Sequence, residues 1–375
     1  MRKLLAITPY LGRTGSEIAL LNLLTSLTDE FQIDVVTPNK APELASEINK
    51  PIRLLKPVAQ KQGLKQKIQR KIGIGDSIVK RSFLGRFPLY EAYDVVVLNT
   101  LKTLVYFPEA ITKGKKIIVY IHETEAMLTG ISAHLFATVI DKADLIICSS
   151  EHVRSYFKTM GRTSKVEVLH PTLDYSKFAL PQSNKNLRAS LGYKETDFVW
   201  GMAGTITVNK NPKMFIDIAK QVNEKKPNAK FMWIGYKGDS AYEDYLKSLV
   251  KEWNLEQVVT FITGKNEEYY EYINAINGFL LTSLSESFSL VSLEAACFGK
   301  PVVSFPCGGV IEAVPEVCLT VTKEFSVSEI ASEIMNIMNQ DTPQFSFKTC
   351  NELVAHSKTE VSEAFTTLLL KHNLL

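Results

Sequence analysis

Two carboxylates separated by seven residues, Glu286 and Glu294, form the most informative chemical pattern in the sequence. They lie in Thr282-Ser283-Leu284-Ser285-Glu286-Ser287-Phe288-Ser289-Leu290-Val291-Ser292-Leu293-Glu294-Ala295-Ala296-Cys297-Phe298-Gly299-Lys300-Pro301. An apolar run leads into the segment, Ser287 or Ser289 is placed to cap a helix, and Gly299-Lys300-Pro301 ends it. Glu286 then precedes the first turn and Glu294 sits about one turn inside. Backbone amides at Phe288, Ser289 and Leu290 would face an anion, while the carboxylates accept hydrogen bonds from hydroxyl groups on either side. A molecule with a charged middle and polyols at both ends suits that layout: a sugar–diphosphate–nucleoside. Composition alone leaves the alternative open, with both glutamates solvated on the surface.

Two further segments hold polar residues at strand-to-helix junctions. In Gly201-Met202-Ala203-Gly204-Thr205-Ile206-Thr207-Val208-Asn209-Lys210-Asn211-Pro212, a glycine and Lys210 precede a helix expected near Lys213–Val222. A lysine held there would add charge where backbone donors already point, although a single loop lysine equally suits a solvated surface. Near the N-terminus, Leu11-Gly12-Arg13-Thr14-Gly15-Ser16-Glu17 joins an apolar run to a helix. Gly12 and Gly15 there would let the backbone approach a ligand, or would serve a tight turn at positive φ. The spacing is not the G-x-G-x-x-G of dinucleotide binders, which disfavours nicotinamide chemistry.

The elements that must position these segments are short β-branched runs alternating with helix-length stretches, the pattern of parallel βα units. Strands are expected at Leu4–Thr8, Ile33–Thr37, Val95–Asn99, Ile117–Ile121, Leu145–Ser149 and Val166–Leu169, then at Val199–Ala203, Lys230–Ile234, Val259–Ile262, Gly278–Thr282, Val302–Phe305 and Leu319–Thr322. The 375-residue length suits two domains. Both read as α/β, doubly wound and Rossmann-like: residues 1–172 and 187–355, joined by a proline-containing linker at 173–186 and followed by a C-terminal helix over 356–375 expected to pack back on the first.

Hydrophobic residues at 45% and charged residues at 22% describe a globular chain. The five cysteines show no metal or disulfide spacing, and no run is apolar enough to span a bilayer, so a reducing, cytoplasmic location is expected. Residues 1–175 carry 24 Lys and Arg against 17 Asp and Glu, whereas the remainder carries 19 against 23. The excess concentrates between Lys61 and Arg86, where Leu64, Ile68 and Ile72 recur at helical spacing among eight basic residues. This is a local patch rather than the charge of a nucleic-acid binder, and no nucleic-acid partner is expected.

Taken in order, these motifs resemble those of the retaining GT-B glycosyltransferases, in particular family four (the group 1 type). The resemblance rests on Glu286-x7-Glu294 followed by Ala-x-x-x-Gly-Lys-Pro-Val-Val, on the Gly12 to Glu17 loop, on Lys210 after the second domain's first strand, and on Cys307-Gly308-Gly309-Val310-Ile311-Glu312. It implies two Rossmann-like domains facing a cleft, with a nucleotide sugar held mainly by the C-terminal domain and a glycan, glycolipid or protein-linked glycan acceptor mainly by the N-terminal one. Carried over, Lys210 binds the diphosphate, Glu286 the donor sugar and Glu294 the ribose, with Gly204 and Thr205 beside the phosphates and Gly15 approaching them. His122, in Val119-Tyr120-Ile121-His122-Glu123, matches the family's histidine near the donor sugar; otherwise it is a satisfied histidine at a strand end.

The resemblance further implies a retaining, metal-independent transferase of bacterial-type polysaccharide, glycolipid or glycoprotein glycan assembly, without a cofactor; no D-x-D triplet occurs. The Lys61–Arg86 patch would then meet an anionic membrane surface, making the enzyme peripheral at the inner face, or would remain solvated. Base recognition is expected near Gly264-Lys265-Asn266. The sequence departs from the family pattern at Thr205, where arginine is common, at Asn211, where glycine is usual, and at His170-Pro171. Those departures keep two alternatives in view: a non-catalytic partner subunit, and an epimerase or hydrolase on the same fold.

Overall fold

The structure, a computed structural model, describes residues 1–39, 42–48, 51–55, 90–106, 114–125, 133–161, 164–174, 178, 185–237, 240–263, 268–340 and 358–375. The Lys61–Arg86 patch, Gly264-Lys265-Asn266, Cys350 and most of the expected linker lie outside the described residues. The chain forms two compact units, Met1–Leu173 with His356–Leu375, and Asp174–Ala355.

In the first unit the strands are β1 (Arg2–Ile7), β2 (Phe31–Val36), β3 (Arg53–Leu55), β4 (Val95–Asn99), β5 (Lys116–Ile121), β6 (Leu145–Cys148) and β7 (Val166–Val168). They form a parallel sheet in the order β3-β2-β1-β4-β5-β6-β7. Helices α1 (Gly15–Ser26), α2 (Ala133–Lys142) and α3 (Glu151–Thr159) connect them. Strand side chains alternate between faces, so Leu4, Ala6, Ile33 and Val35 pack in one layer with α1, while Leu5, Ile7, Val96 and Val119 pack in the other with α2 and α3.

The strand Arg53–Leu55 was not expected. It is three residues long and has no alternation of its own. Its register on β2 is held by Arg53, which forms a bidentate pair with the buried Asp34 through Nε and Nη2, each at 2.7 Å. The C-terminal helix (Lys358–Lys371) completes the first unit's core. Val361, Phe365 and Leu369, four residues apart, are 4%, 0% and 0% exposed in the layer shared with α1. Ser362 and Thr366 donate to Glu30, and Lys371 and His372 bond Glu167, so polar contacts fix the same docking.

The second unit carries β8 (Phe198–Ala203), β9 (Ala229–Tyr236), β10 (Val259–Thr263), β11 (Gly278–Leu281), β12 (Val302–Ser304) and β13 (Leu319–Val321), parallel in the order β10-β9-β8-β11-β12-β13. Its helices are α4 (Lys185–Ser190), α5 (Pro212–Lys225), α6 (Ala241–Glu252), α7 (Tyr269–Ala275), α8 (Leu290–Cys297), α9 (Val310–Ala313) and α10 (Val327–Asn339). In each sheet the order reverses once, at β1/β4 and at β8/β11. Loops leaving adjacent strands diverge at such a point, which is where open α/β sheets bind ligands.

Candidate functional site

The second unit's switch point gathers three loops. The first, residues 204–211, leaves β8, and the second, residues 282–289, leaves its neighbour β11. They are joined by hydrogen bonds from Thr282 Oγ1 to the Lys210 carbonyl (2.8 Å), from the Leu284 amide to the Asn209 carbonyl (2.7 Å) and from Asn209 Nδ2 to the Ser285 carbonyl (2.9 Å). Gly204 has φ +142°, a conformation reserved for glycine, and its carbonyl accepts from Trp233 Nε1 at 2.9 Å. The stem of Lys210 lies over it: a Cβ at position 204 would stand 3.4 Å from Lys210 Cε. Asn211, which replaces the usual glycine, has φ +52°. Asparagine is among the few side chains that tolerate the left-handed region, so the backbone holds this conformation without glycine.

The third loop, from Phe305 to Gly309, clasps Glu286. The Glu286 amide donates to the Cys307 carbonyl (2.7 Å), and the Gly309 amide donates to the Glu286 carbonyl (2.9 Å). Lys210 Nζ meets Glu286 Oε1 at 2.6 Å, with side chains 22% and 10% exposed. Cys307 is buried beside the pair; burial pushes its thiol up to about 11, so it stays protonated at neutral pH.

Helix α8 starts where the sequence indicated, with one of the two expected cap residues in place. Ser289 is the N-cap residue with φ +76°, and its hydroxyl bonds Ser292 Oγ at 2.8 Å instead of a backbone amide. A non-glycine residue in this region is strained. The first-turn amides that follow it, starting at Leu290, have no carbonyl partners within the helix. Phe288 and Leu290 turn their side chains into the protein. Glu294 lies on the fifth residue of α8 and is 4% exposed, with one oxygen accepting from Tyr269 (2.7 Å) and the other from Tyr270 (3.1 Å). Burial of Glu286 and Glu294 excludes the solvated alternative for both. Thr205 is exposed.

A second polar cluster lies at the β1/β4 switch point of the first unit. His122 follows β5, and its Nε2 bonds Asn99 Oδ1 at 3.0 Å. Asn99 Nδ2 donates to the Ser16 carbonyl and to Thr8 Oγ1, which leaves Oδ1 as the acceptor. His122 therefore carries its proton on Nε2. Burial lowers its pKa to about 3, so it is neutral at physiological pH. Its neighbour Glu123 accepts from the amides of Leu101 and His122, and burial raises its pKa to about 7. Asn99 thus ties His122 to the first turn of α1.

The turn explanation for the loop's glycines is overturned. Positive φ falls on Leu11 (+49°), whose carbonyl accepts from the Leu44 amide, and not on Gly12 or Gly15. A Cβ on Gly12 would meet nothing within 4 Å. Asn99, Thr282, Trp233, Tyr269 and Tyr270 were not singled out in the sequence. Of these only the paired tyrosines opening α7 stand out locally; the others act through contacts distant in sequence. Among the described residues, no three His, Cys, Asp or Glu side chains gather as a metal site, and no helix is long and apolar enough to cross a membrane.

Two parallel Rossmann-like units with polar switch points define a GT-B protein, and comparison with known structures agrees. The fold matches Anabaena HepE, solved with UDP and glucose, at a TM-score of 0.78 and 20% identity over 98% of this chain and 99% of that one. It also matches sucrose-phosphate synthase from Thermosynechococcus elongatus at 0.73 and 16%, covering 100% and 98%. Residues 183–358 match the family model described as glycosyl transferases group 1, and residues 13–177 match that of glycosyltransferase family 4. The chain belongs to the group 1 glycosyltransferases. A curated relative, D-inositol 3-phosphate glycosyltransferase of Mycobacterium sp. (strain KMS), is 30% identical over 181 residues, covering 47% of this chain and 40% of the relative. The matches span half or less of the lengths of the curated relatives.

Proposed function

We propose that the protein transfers a sugar from a nucleoside diphosphate donor to an acceptor hydroxyl, with retention of anomeric configuration and without a metal. The observation that carries the reading is the second unit's constellation: Lys210 Nζ 2.6 Å from Glu286, at the start of a helix whose fifth residue is the buried Glu294. The amides of Ser289 and Leu290 and the Lys210 ammonium receive the diphosphate, Glu286 accepts from donor-sugar hydroxyls, and Glu294 accepts from the ribose. Lys210 has three donors, so it keeps Glu286 while reaching a phosphate oxygen. In the first unit, neutral His122 donates from Nε2 to Asn99 and keeps Nδ1 as an acceptor, which suits a hydroxyl group.

As the glycosidic bond breaks, positive charge grows on the sugar ring and negative charge on the leaving phosphate. The attacking hydroxyl approaches on the leaving group's face and gives its proton to a phosphate oxygen, so the protein's task is positioning and charge stabilisation. The uridine nucleotide and glucose of the HepE structure make UDP-glucose the first donor to test. The acceptor would be a glycan, glycolipid or protein-linked glycan in surface polysaccharide or glycoconjugate assembly, reached at the cytoplasmic face of a membrane through Lys61–Arg86.

A donor screen with product analysis tests this, using Lys210→Ala as the control. Loss of the ammonium should lower kcat by about 10²–10³, because charge on the leaving group develops in the transition state. An unchanged kcat in the folded variant would refute the assignment. Binding of nucleoside diphosphates without transfer to any acceptor, but with donor hydrolysis or epimerisation, would favour the other enzymatic reading.

A further inference from the structure

Glu294 is held by a pair of adjacent tyrosines that nothing in the donor chemistry itself requires. A glutamate's own rotamer leaves the plane of its carboxylate poorly defined, because the terminal torsion is broad. Here each oxygen receives a separate hydroxyl, Tyr269 at 2.7 Å on Oε2 and Tyr270 at 3.1 Å on Oε1, so the plane is set from two directions. The tyrosines are themselves fixed. Their rings pack edge to face at 5.0 Å, and the Tyr270 ring packs edge-on against Phe178 at 5.3 Å. Burial and the adjacent carboxylate keep the Tyr269 hydroxyl protonated, and therefore a donor, throughout the neutral range.

Building on the assignment of Glu294 to the ribose, we propose that Tyr269 and Tyr270 are positioning residues that orient the Glu294 carboxylate toward the vicinal hydroxyls of a ribonucleotide, and so set discrimination against deoxyribonucleotides. A carboxylate oxygen can accept more than one hydrogen bond. A vicinal diol offers two donors at fixed separation, and a carboxylate whose plane is already set meets both without being ordered on binding. Pre-orientation spares the ligand the cost of ordering the acceptor.

Isothermal titration tests the proposal, with UDP, GDP and ADP, their 2′-deoxy counterparts and inorganic pyrophosphate as probes. Titrations use the full chain as wild type, Tyr269→Phe, Tyr270→Phe and the double variant, with melting curves as the folding check. The phenylalanine variants keep each ring and lose only the hydroxyl. For the nucleotide that wild type binds, each variant should lose about tenfold in affinity for the ribo form and keep its pyrophosphate affinity. The ribo-to-deoxy ratio should fall toward one.

Glu294→Gln provides the second arm, and also covers a variant that fails to fold. If the tyrosines act through Glu294, adding Tyr270→Phe to E294Q should cost no further ribo affinity. An unchanged ribo-to-deoxy ratio in folded variants would overturn the proposal, as would full additivity with E294Q. Tighter ribonucleotide binding by the phenylalanine variants would also overturn it, since the hydroxyls would then compete with the ribose. A wild-type chain that binds none of the three nucleotides would instead overturn the donor-site reading on which the proposal rests.

Discussion

Gly309→Ala places a single methyl group where the loops around Glu286 leave no room for it. A Cβ on residue 309 would stand 2.1 Å from the Ser287 carbonyl oxygen, 2.6 Å from its carbon and 3.0 Å from Phe288 Cα. All three neighbours are backbone, so no side-chain rotation relieves the clash. Restoring an ordinary contact of about 3.5 Å requires the 287–288 backbone or residue 309 to shift by more than about 1 Å. The Gly309 amide is bonded to the Glu286 carbonyl at 2.9 Å, so the shift passes to the segment carrying Glu286 and the α8 N-terminus. Overpacking of this kind costs about 1–3 kcal/mol, or about 2–12 °C in melting temperature for a unit of this size. Misplacement by about 1 Å near the reacting atoms costs about 10²-fold in turnover. Differential scanning calorimetry and a transfer assay with UDP-glucose measure the two effects. A Gly309→Ala chain that melts within about 1 °C of wild type, with undiminished turnover, would refute the reasoning.

Phe365→Ala should cost about 3–5 kcal/mol of first-unit stability, because the ring is fully buried against the α1 layer; denaturant titration with an unchanged midpoint would contradict this. His122 is neutral when folded, and its pKa is lowered from 6.5 to about 3 by burial, so its stabilising contribution is present above about pH 6.5 and is lost as pH falls toward 3. Glu123, raised to about 7 by burial, has the opposite slope, adding stability as pH falls from 7 toward 4.5. The difference between wild type and His122→Asn isolates the histidine: by pH 5 wild type should have lost about 1–2 kcal/mol more, and parallel pH–melting profiles would exclude it. Sugar transfer should persist in excess EDTA, since Lys210 and helix amides supply the charge complement; abolition by EDTA with rescue by Mg²⁺ or Mn²⁺ would show that a metal is required.

The parallel-sheet architecture was written in the sequence because strands buried on both faces read as unbroken β-branched runs. Val95–Asn99 is such a run, and all five of its residues are buried. The order of Lys210, Glu286 and Glu294 at strand-to-helix junctions was legible for the same local reason. Periodicity could not reveal Arg53–Leu55, a strand held by a buried aspartate on its neighbour. The direction of Leu11 is likewise set by residue 44, distant in sequence. Nor could spacing show that Lys210 rests on Gly204 and pairs with Glu286, that Asn99 fixes the tautomer of His122, or that two tyrosines hold Glu294. A hydrogen bond needs donor and acceptor within about 3 Å, and neighbours that close come from loops that only the folded sheet brings side by side. Chain order placed the functional groups at the ends of strands; tertiary packing decided which of them touch, and with which atoms.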